Sequence, residues 1–252
     1  METLFIGKNT IFLPQVSSTN SYAIDLLKNV NPVEGSVVYT ADQTSGKGQR
    51  GNRWESEPLS NLHASVILKP SFLDIRKAFF LYQVAALACY DCLAELLDKS
   101  QIDIKIKWPN DILVNGKKIA GILIENNIQN NSINWSVIGI GMNVNQENFG
   151  ALSNATSIRN FTRELYPIRD LIKKVCAQLE KYYLWLKTEK YERITQLYLS
   201  RLYGLNMWLN FEYDGRVQSL LVKGVSESGL LMLEDEKNRA LLADVKEIKW
   251  RY

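Results

Sequence analysis

One histidine, His63, and three cysteines, Cys89, Cys92 and Cys176, are the whole supply of soft metal ligands and disulfide partners in 252 residues. So small a supply speaks against a disulfide scaffold and against most transition-metal sites. The opening METLFIGKNT lacks the basic start, apolar stretch and small-residue cleavage site of a secretory leader, and an odd cysteine count agrees with a reducing, cytoplasmic compartment. Cys89 and Cys92 have the spacing of a zinc or redox pair. No second pair follows, however, and the surrounding segment is apolar and helix-like, so buried core thiols and no structural metal are expected. Long hydrophobic runs are missing too: Gln83, Tyr90 and Asp91 break the longest apolar stretch before about 18 residues accumulate, and no membrane association is expected. Nor does one sign of charge dominate, because 30 basic against 27 acidic residues leave +3, well short of a protein that lives on nucleic acid.

What is present suffices for a folded core, with 46% hydrophobic and 23% charged residues and no repeat or low-complexity tract. Ser17 to Asn20 cluster as N-cap residues before Tyr22, Ala23, Leu26 and Leu27 at helical spacing. Gly35 to Ala41 reads as a buried strand running into a long exposed loop from Asp42 to Trp54. Leu62 to Leu68 reads as a strand, Asp74 to Leu97 as a capped helix on a sheet, and Ile102 to Lys107 as a half-exposed strand. Asn115-Gly116 between apolar runs predicts a type I′ hairpin, and Trp135 to Asn145 predicts another strand. Pro167 opens an amphipathic helix and a further helix follows from about Glu189 to Tyr203. Beyond Gly204 short strands alternate with turns such as Asp214-Gly215, the pattern of a small barrel. The expected fold is α+β: a largely antiparallel sheet backed by helices over residues 1–203, then a small β-barrel over 204–252.

Three stretches carry chemistry. The loop around Gly46-Lys47-Gly48 invites comparison with a nucleotide-binding P-loop and fails it, since Ala41 stands where the first glycine belongs and Gly48 where the magnesium-binding hydroxyl belongs. Its physics survives: Gly46, Gly48 and Gly51 let backbone bend close to a ligand, and Lys47, Arg50 and Arg53 bring cations to an anion such as a phosphate. Gly139-Ile-Gly141 begins a dinucleotide fingerprint, but Val144 occupies the third glycine's place and the segment lies inside a strand, where glycines mark close approach by another group. In Lys107-Trp-Pro-Asn-Asp111 a lysine ends an amphipathic strand and Pro109 stops the ladder, presenting Asn110 and Asp111 at a sheet edge.

Together with Ser18-Thr19-Asn20, the run from Gln43 to Trp54, Lys118-Ile-Ala-Gly-Ile-Leu-Ile-Glu125 and Ile138-Gly-Ile-Gly-Met-Asn143, these stretches resemble the motifs of the biotin protein ligases, in the family's order and through most of the chain. The resemblance implies a catalytic α/β domain with a small Src-homology-like barrel, ATP and Mg2+, and a biotin carboxyl carrier protein as acceptor. It implies a two-step reaction in which biotin is adenylated by ATP and then passed to a carrier lysine. Carried over position by position, Ser18, Thr19, Asn20 and Gln43 match contacts to the biotin head group, Gly46, Lys47, Gly48 and Gln49 the loop that closes over biotin, and Gly139, Gly141 and Ile112 the pocket itself. Lys107 matches the lysine at the reacting carboxylate and phosphoryl group, with Lys47 and Arg50 as further catalytic cations. Arg53, Trp54, Asn110, Asp111, Lys118 and Asn143 fall on the nucleotide side, Asp111 also as a metal ligand.

The chain departs from the commoner arginine-rich loop at Lys47, Gln49 and Asn52. Lysine lacks the bidentate fork of guanidinium, so looser retention of the adenylate is expected, as is a loop that orders only on binding. Some members carry an N-terminal DNA-binding domain; with Ser18 so near the start of the sequence, none is expected here. A lipoate or octanoate ligase or transferase of the same fold is the competing enzyme, and a biotin-responsive regulator or basic binding module the competing non-enzyme. An exposed sheet edge could pair with a second copy into a homodimer.

Overall fold

The computed structural model of the protein describes residues 3–98, 100–150 and 152–251. In chain order the elements are β1 (Thr10–Val16), α1 (Thr19–Asn29), β2 (Val37–Gln43), β3 (Leu62–Leu68), α2 (Phe79–Ala94), β4 (Ile104–Lys107), β5 (Asp111–Val114), β6 (Lys117–Gln129), β7 (Ser132–Met142), α3 (Ile158–Thr162), α4 (Ile168–Lys187), α5 (Tyr191–Ser200), β8 (Trp208–Tyr213), β9 (Arg216–Val225), β10 (Leu231–Glu234), β11 (Ala240–Ala243) and β12 (Ile248–Arg251). Seven strands form one sheet in the order β1-β2-β3-β7-β6-β5-β4, and the last five form an antiparallel second sheet, β11-β10-β9-β8-β12. Only β1 and β2 run parallel in the large sheet, so the α+β expectation holds.

Local chemistry accounts for most of these elements. Ser18 is the N-cap of α1, its hydroxyl accepting from the Ser21 amide. Asn115 and Gly116 both take positive φ, 48° and 77°, as a type I′ turn between β5 and β6 requires. Asn130 and Asn131 do the same between β6 and β7. Strand β1 was hidden in the sequence by Pro14, which a ladder tolerates only at an edge, and β1 is the sheet's edge. The opposite edge, β4, is covered by the chain leaving α5: the Ile106 amide donates to the Arg201 carbonyl and the Tyr203 amide to the Ile106 carbonyl, both at 2.8 Å.

One face of the large sheet is buried under α2 and α4. The 75–94 segment is long and apolar enough to cross a bilayer by composition, yet it is the central core helix, with Leu81, Val84, Leu87 and Leu93 fully buried. Leu171, Val175, Leu179, Tyr182 and Leu186 form the buried stripe of α4, and truncating the fully buried Leu179 to alanine would cost about 2–5 kcal/mol. Cys89, Cys92 and Cys176 are buried free thiols in this layer; loss of solvent pushes Cys92 and Cys176 up to about 12, so neither is a thiolate near neutral pH. Glu180 on α4 accepts from the amides of Leu4, Phe5 and Ile6, tying the start of the chain to the core. The other face is covered by α1 over half its extent, where Ala23 packs on Val38, Ile67 and Val137. The remainder is the site.

Candidate active site

Register lays a straight row of residues across that second face. Thr40 pairs with His63, His63 with Gly141, Gly141 with Gly121, Gly121 with Asp111 and Asp111 with Lys107. Directly paired residues point to the same side, so two adjacent glycines make a shallow floor between an imidazole and an ion-pairing end. A second row runs parallel to it through Val38, Ser65, Gly139 and Leu123.

The start of α1 lies over this second row. Ser65 Oγ bonds to Thr19 Oγ1 at 2.8 Å and to Asn20 Oδ1 at 2.6 Å, and Asn20 Nδ2 donates to Glu125 Oε2 at 2.8 Å. Gln43 Oε1 accepts from the Thr19 amide at 2.9 Å and its hydroxyl at 3.2 Å. Gly139 is required by this packing: a Cβ there would stand 2.2 Å from Asn20 Oδ1. The result is a neutral hydrogen-bonding corner whose members are fixed by one another before any ligand arrives.

The stretch expected to be a long exposed loop is instead a folded tongue. The backbones of Lys47 and Arg53 pair in an antiparallel β-bridge, the Gly48 amide donates to the Asn52 carbonyl at 2.7 Å, and the Trp54 amide donates to the Gly46 carbonyl at 2.9 Å. Gly46 is buried because the returning chain passes against it; an added Cβ would meet the Trp54 carbonyl oxygen at 2.5 Å. The apolar end of the tongue supplies the anchor. Trp54 lays its indole on the glycine floor, where a Cβ on Gly141 would come within 2.6 Å of Cε2 and one on Gly121 within 3.0 Å of Cζ3.

Trp54 divides two cavities. The inner one, about 50 Å³, is bounded by Ser18, Thr19, Asn20, Gln43, Lys47, Gly48, Gln49, Asn110, Gly139 and Gly141. The outer one, about 530 Å³, is bounded by Arg53, Glu55, Lys107, Asp111, Asn143 and the apolar Leu113, Phe149 and Leu152. Trp54 and Lys118 line both. Lys118 Nζ lies 2.7 Å from Asp111 Oδ1 in an ion pair and 5.5 Å from the centre of the Trp54 ring. Lys107 stands further out, 5.4 Å from the ring of Trp250 on β12, and burial holds its ammonium below the usual lysine range although Asp111 opposes that shift.

Several residues therefore sit apart from their expected places. Lys107 borders only the outer cavity, and the cations that reach the inner one are Lys47 and Lys118. Asn110 turns to the inner cavity, its Nδ2 held by the Ile122 carbonyl at 2.8 Å. Arg50 lines neither cavity and reaches Asp244, 4.0 Å away, between β11 and β12. Ile112 is a correction: Asp111 takes the cleft face, so strand alternation turns Ile112 into the core under the helices, and it borders neither cavity. Sequence reasoning missed Ser65 and Gly121, both legible only once strand parity is known, and His63.

Residues 12–143 match the profile of the biotin/lipoate A/B protein ligases. The chain belongs to that family. Over 243 residues it is 32% identical to the bifunctional ligase/repressor BirA of Bacillus subtilis, spanning 93% of this chain and 72% of that protein. It is 28% identical over 236 residues to the biotin–[acetyl-CoA-carboxylase] ligase of Paracoccus denitrificans, spanning 91% of this chain and 96% of that one. Among solved structures, the biotin protein ligase of Aquifex aeolicus in complex with biotin and ATP superposes with a TM-score of 0.79 at 24% identity, covering 97% of this chain and 99% of the other. In this biotin/lipoate ligase fold the β8–β12 sheet is joined to the large sheet by shared core packing and by Trp108, whose Nε1 donates to the Gly229 carbonyl at 2.8 Å.

Proposed function

We propose that the protein is a biotin–protein ligase: it joins biotin to the α-phosphate of ATP, releasing pyrophosphate, and passes the biotinyl group to a lysine of a biotin carboxyl carrier protein, releasing AMP. The observation that carries this reading is the division of one cleft into a neutral amide-and-hydroxyl corner and a cation-lined chamber, meeting at Lys118. Ser18, Thr19, Asn20 and Gln43 suit a ureido group, whose N–H and C=O need partners in an otherwise dry pocket. An unfunctionalised acyl chain would leave that polar set unpaired.

The first step brings a carboxylate to a triphosphate. Two unit charges about 4 Å apart repel by about 4 kcal/mol at an effective dielectric near 20. Lys118 and Lys47 hold the carboxylate at the inner end; Lys107 and Arg53 hold phosphate oxygens at the outer end, and the apolar Leu113, Phe149 and Leu152 take the base. The inner cavity is far below the roughly 300 Å³ of an ordinary small-molecule site, and four of its walls come from the tongue. Entry of biotin therefore moves the tongue outward and its return shuts water away from the adenylate.

Among the described residues no three His, Cys, Asp or Glu side chains gather to cage a metal. The outer chamber offers Asp111 and Glu55 with the Asn143 amide, the sparse oxygen set that suits Mg2+ held chiefly by substrate phosphates. When bound there, the ion supplies charge neutralisation. Residues 1–203 act as the catalytic domain. Residues 204–252 act as a small β domain that closes the nucleotide side through Trp250 and helps seat the carrier. The test is ATP–pyrophosphate exchange with biotin, lipoate and octanoate offered separately. Exchange with biotin alone is expected, and equal exchange with octanoate would overturn the reading.

A further inference from the structure

His63 is the chain's one histidine, it is buried, and neither ring nitrogen has a hydrogen-bond partner among the described residues. Its polar neighbours on the same face are all engaged. The Thr40 hydroxyl bonds within its own corner to the Leu13 and Asp42 carbonyls, Ser65 holds Thr19 and Asn20, and Asn61 holds Ser56, Gln146 and the Val144 amide. Among the described residues two further buried polar atoms on or over the row lack a hydrogen-bond partner: Asp111 Oδ1, which is ion-paired with Lys118, and the indole Nε1 of Trp54, the one donor of the two.

The register says where that N–H points. Cζ3 of the indole lies over Gly121 on β6 and Cε2 over Gly141 on β7. The next residue in the row, on β3, is His63. Nε1 is bonded to Cε2 on the side away from Cζ3, so the indole nitrogen lies on the β3 side of the ring, the side on which His63 stands. A buried donor and a buried acceptor left unmet in adjoining positions each carry a desolvation penalty that pairing removes. Burial holds the imidazole well below the usual histidine range, despite the charge of Asp42, so the ring is neutral and has a lone pair to offer.

We propose that His63 is a positioning residue whose neutral imidazole accepts directly from the Trp54 indole N–H, fixing the indole across the glycine floor as the partition between the two cavities. The inference rests on the proposed ligase reading only for what the partition separates. The two groups are not bonded in the orientation the structure shows, so the proposed bond requires a rotation of the imidazole about its side-chain torsions to bring a nitrogen onto the indole N–H. A phenylalanine at position 63 would leave the indole to be held by packing alone.

The test uses the full chain labelled with ¹⁵N, without ligand, so that its outcome is independent of what acid the enzyme activates. The Trp54 indole signal is identified by its loss in Trp54→Phe. In His63→Phe that signal is expected to shift toward that of an unbonded indole and to exchange with solvent about fivefold faster, the worth of one ordinary hydrogen bond. His63→Gln keeps an acceptor and is expected to restore it. An unmoved Trp54 signal in a folded His63→Phe protein, or no restoration in His63→Gln, overturns the proposal. Should His63→Phe fail to fold, the wild type decides: a scalar coupling through the hydrogen bond between the indole nitrogen and an imidazole nitrogen is expected, and its absence overturns the proposal equally.

Discussion

At the α1 end of the cleft, Thr19, Asn20, Gln43 and Ser65 are held by one another and by Glu125, while at the tongue end Lys47 has no ion pair among the described residues and Arg53 makes only a long 3.4 Å contact to the Thr44 carbonyl. The contrast follows from what each end has to bind. A neutral head group can be met by groups that already satisfy each other, because each hydroxyl or amide keeps spare capacity. A phosphate cannot be met that way, since a permanent acidic partner for each cation would compete with the ligand. Lys118, at the junction, is paired beforehand, and its partner Asp111 keeps the ammonium aimed between the cavities.

The comparison is tested hardest at that junction. Lys118→Ala is expected to lower biotin-dependent pyrophosphate exchange by about 10²–10³-fold, the usual loss for one preorganised electrostatic contact, with biotin affinity changed only a few-fold. Lys107→Ala, at the outer chamber, should mainly raise the KM for ATP. If Lys107→Ala abolishes exchange and Lys118→Ala does not, the carboxylate and phosphate meet further out than the cavities suggest.

A second test asks how firmly the neutral side excludes charge. His63 has its folded pKa lowered from 6.5 to about 4, chiefly by burial, so between those values the unfolded chain binds a proton that the folded chain refuses. This contribution to stability is present in full above pH 6.5 and fades as the pH falls toward 4, by about 3 kcal/mol in all. Urea unfolding at pH 7.0 and 4.5 should show a smaller drop for His63→Phe than for the wild type. Equal drops would mean that water reaches the imidazole.

A third substitution should separate the two ends by ligand. In Gly139→Ala the new Cβ would fall 2.2 Å from Asn20 Oδ1, displacing the side chain that Ser65 and Glu125 hold. Biotin binding measured by calorimetry should weaken at least tenfold, as expected for about 1–3 kcal/mol of disrupted buried hydrogen bonding, with ATP binding intact. Loss of both together would show that the corner and the chamber are one unit.

Much of this contrast was legible in the sequence. The N-cap serines, the Asn115-Gly116 turn and the α4 stripe are local signals: the first placed the helix that carries the neutral corner, and the others placed the β5–β6 hairpin and the helix behind the sheet. The cations of the tongue were legible as residue types. Their division between cavities was not, because it depends on which strand pairs with which and in what register: Lys107 and Lys118 differ in role through β4 and β5 lying outside β6. The same dependence hid Ile112, misplaced by one step of strand alternation, and His63, whose meaning appears only when Gly141 and Gly121 line up beside it. The fold of the tongue was unreadable for a different reason. Its three glycines announce freedom, and the contact that removes the freedom is made by Trp54 on a floor contributed by residues far along the chain.

The smallest effect lies where the tongue meets the second sheet. Arg50 takes a positive φ of 59°, which carries its guanidinium to within 4.0 Å of Asp244, but both side chains are substantially exposed, 36% and 49%. Exposed pairs are worth at most about 1 kcal/mol and are screened by salt. Asp244→Asn should therefore raise the rate of proteolytic cutting at Lys47 or Arg50 in the ligand-free protein by no more than about fivefold, and 0.5 M salt should erase the difference. Biotin with ATP, which places anions among the cations from the other side, should suppress cutting in wild type and variant alike. If the variant were cut far faster even with both ligands present, the tongue would be held by the second sheet and not by the anion, and the loop end of the cleft would be prebuilt in the same sense as the α1 end.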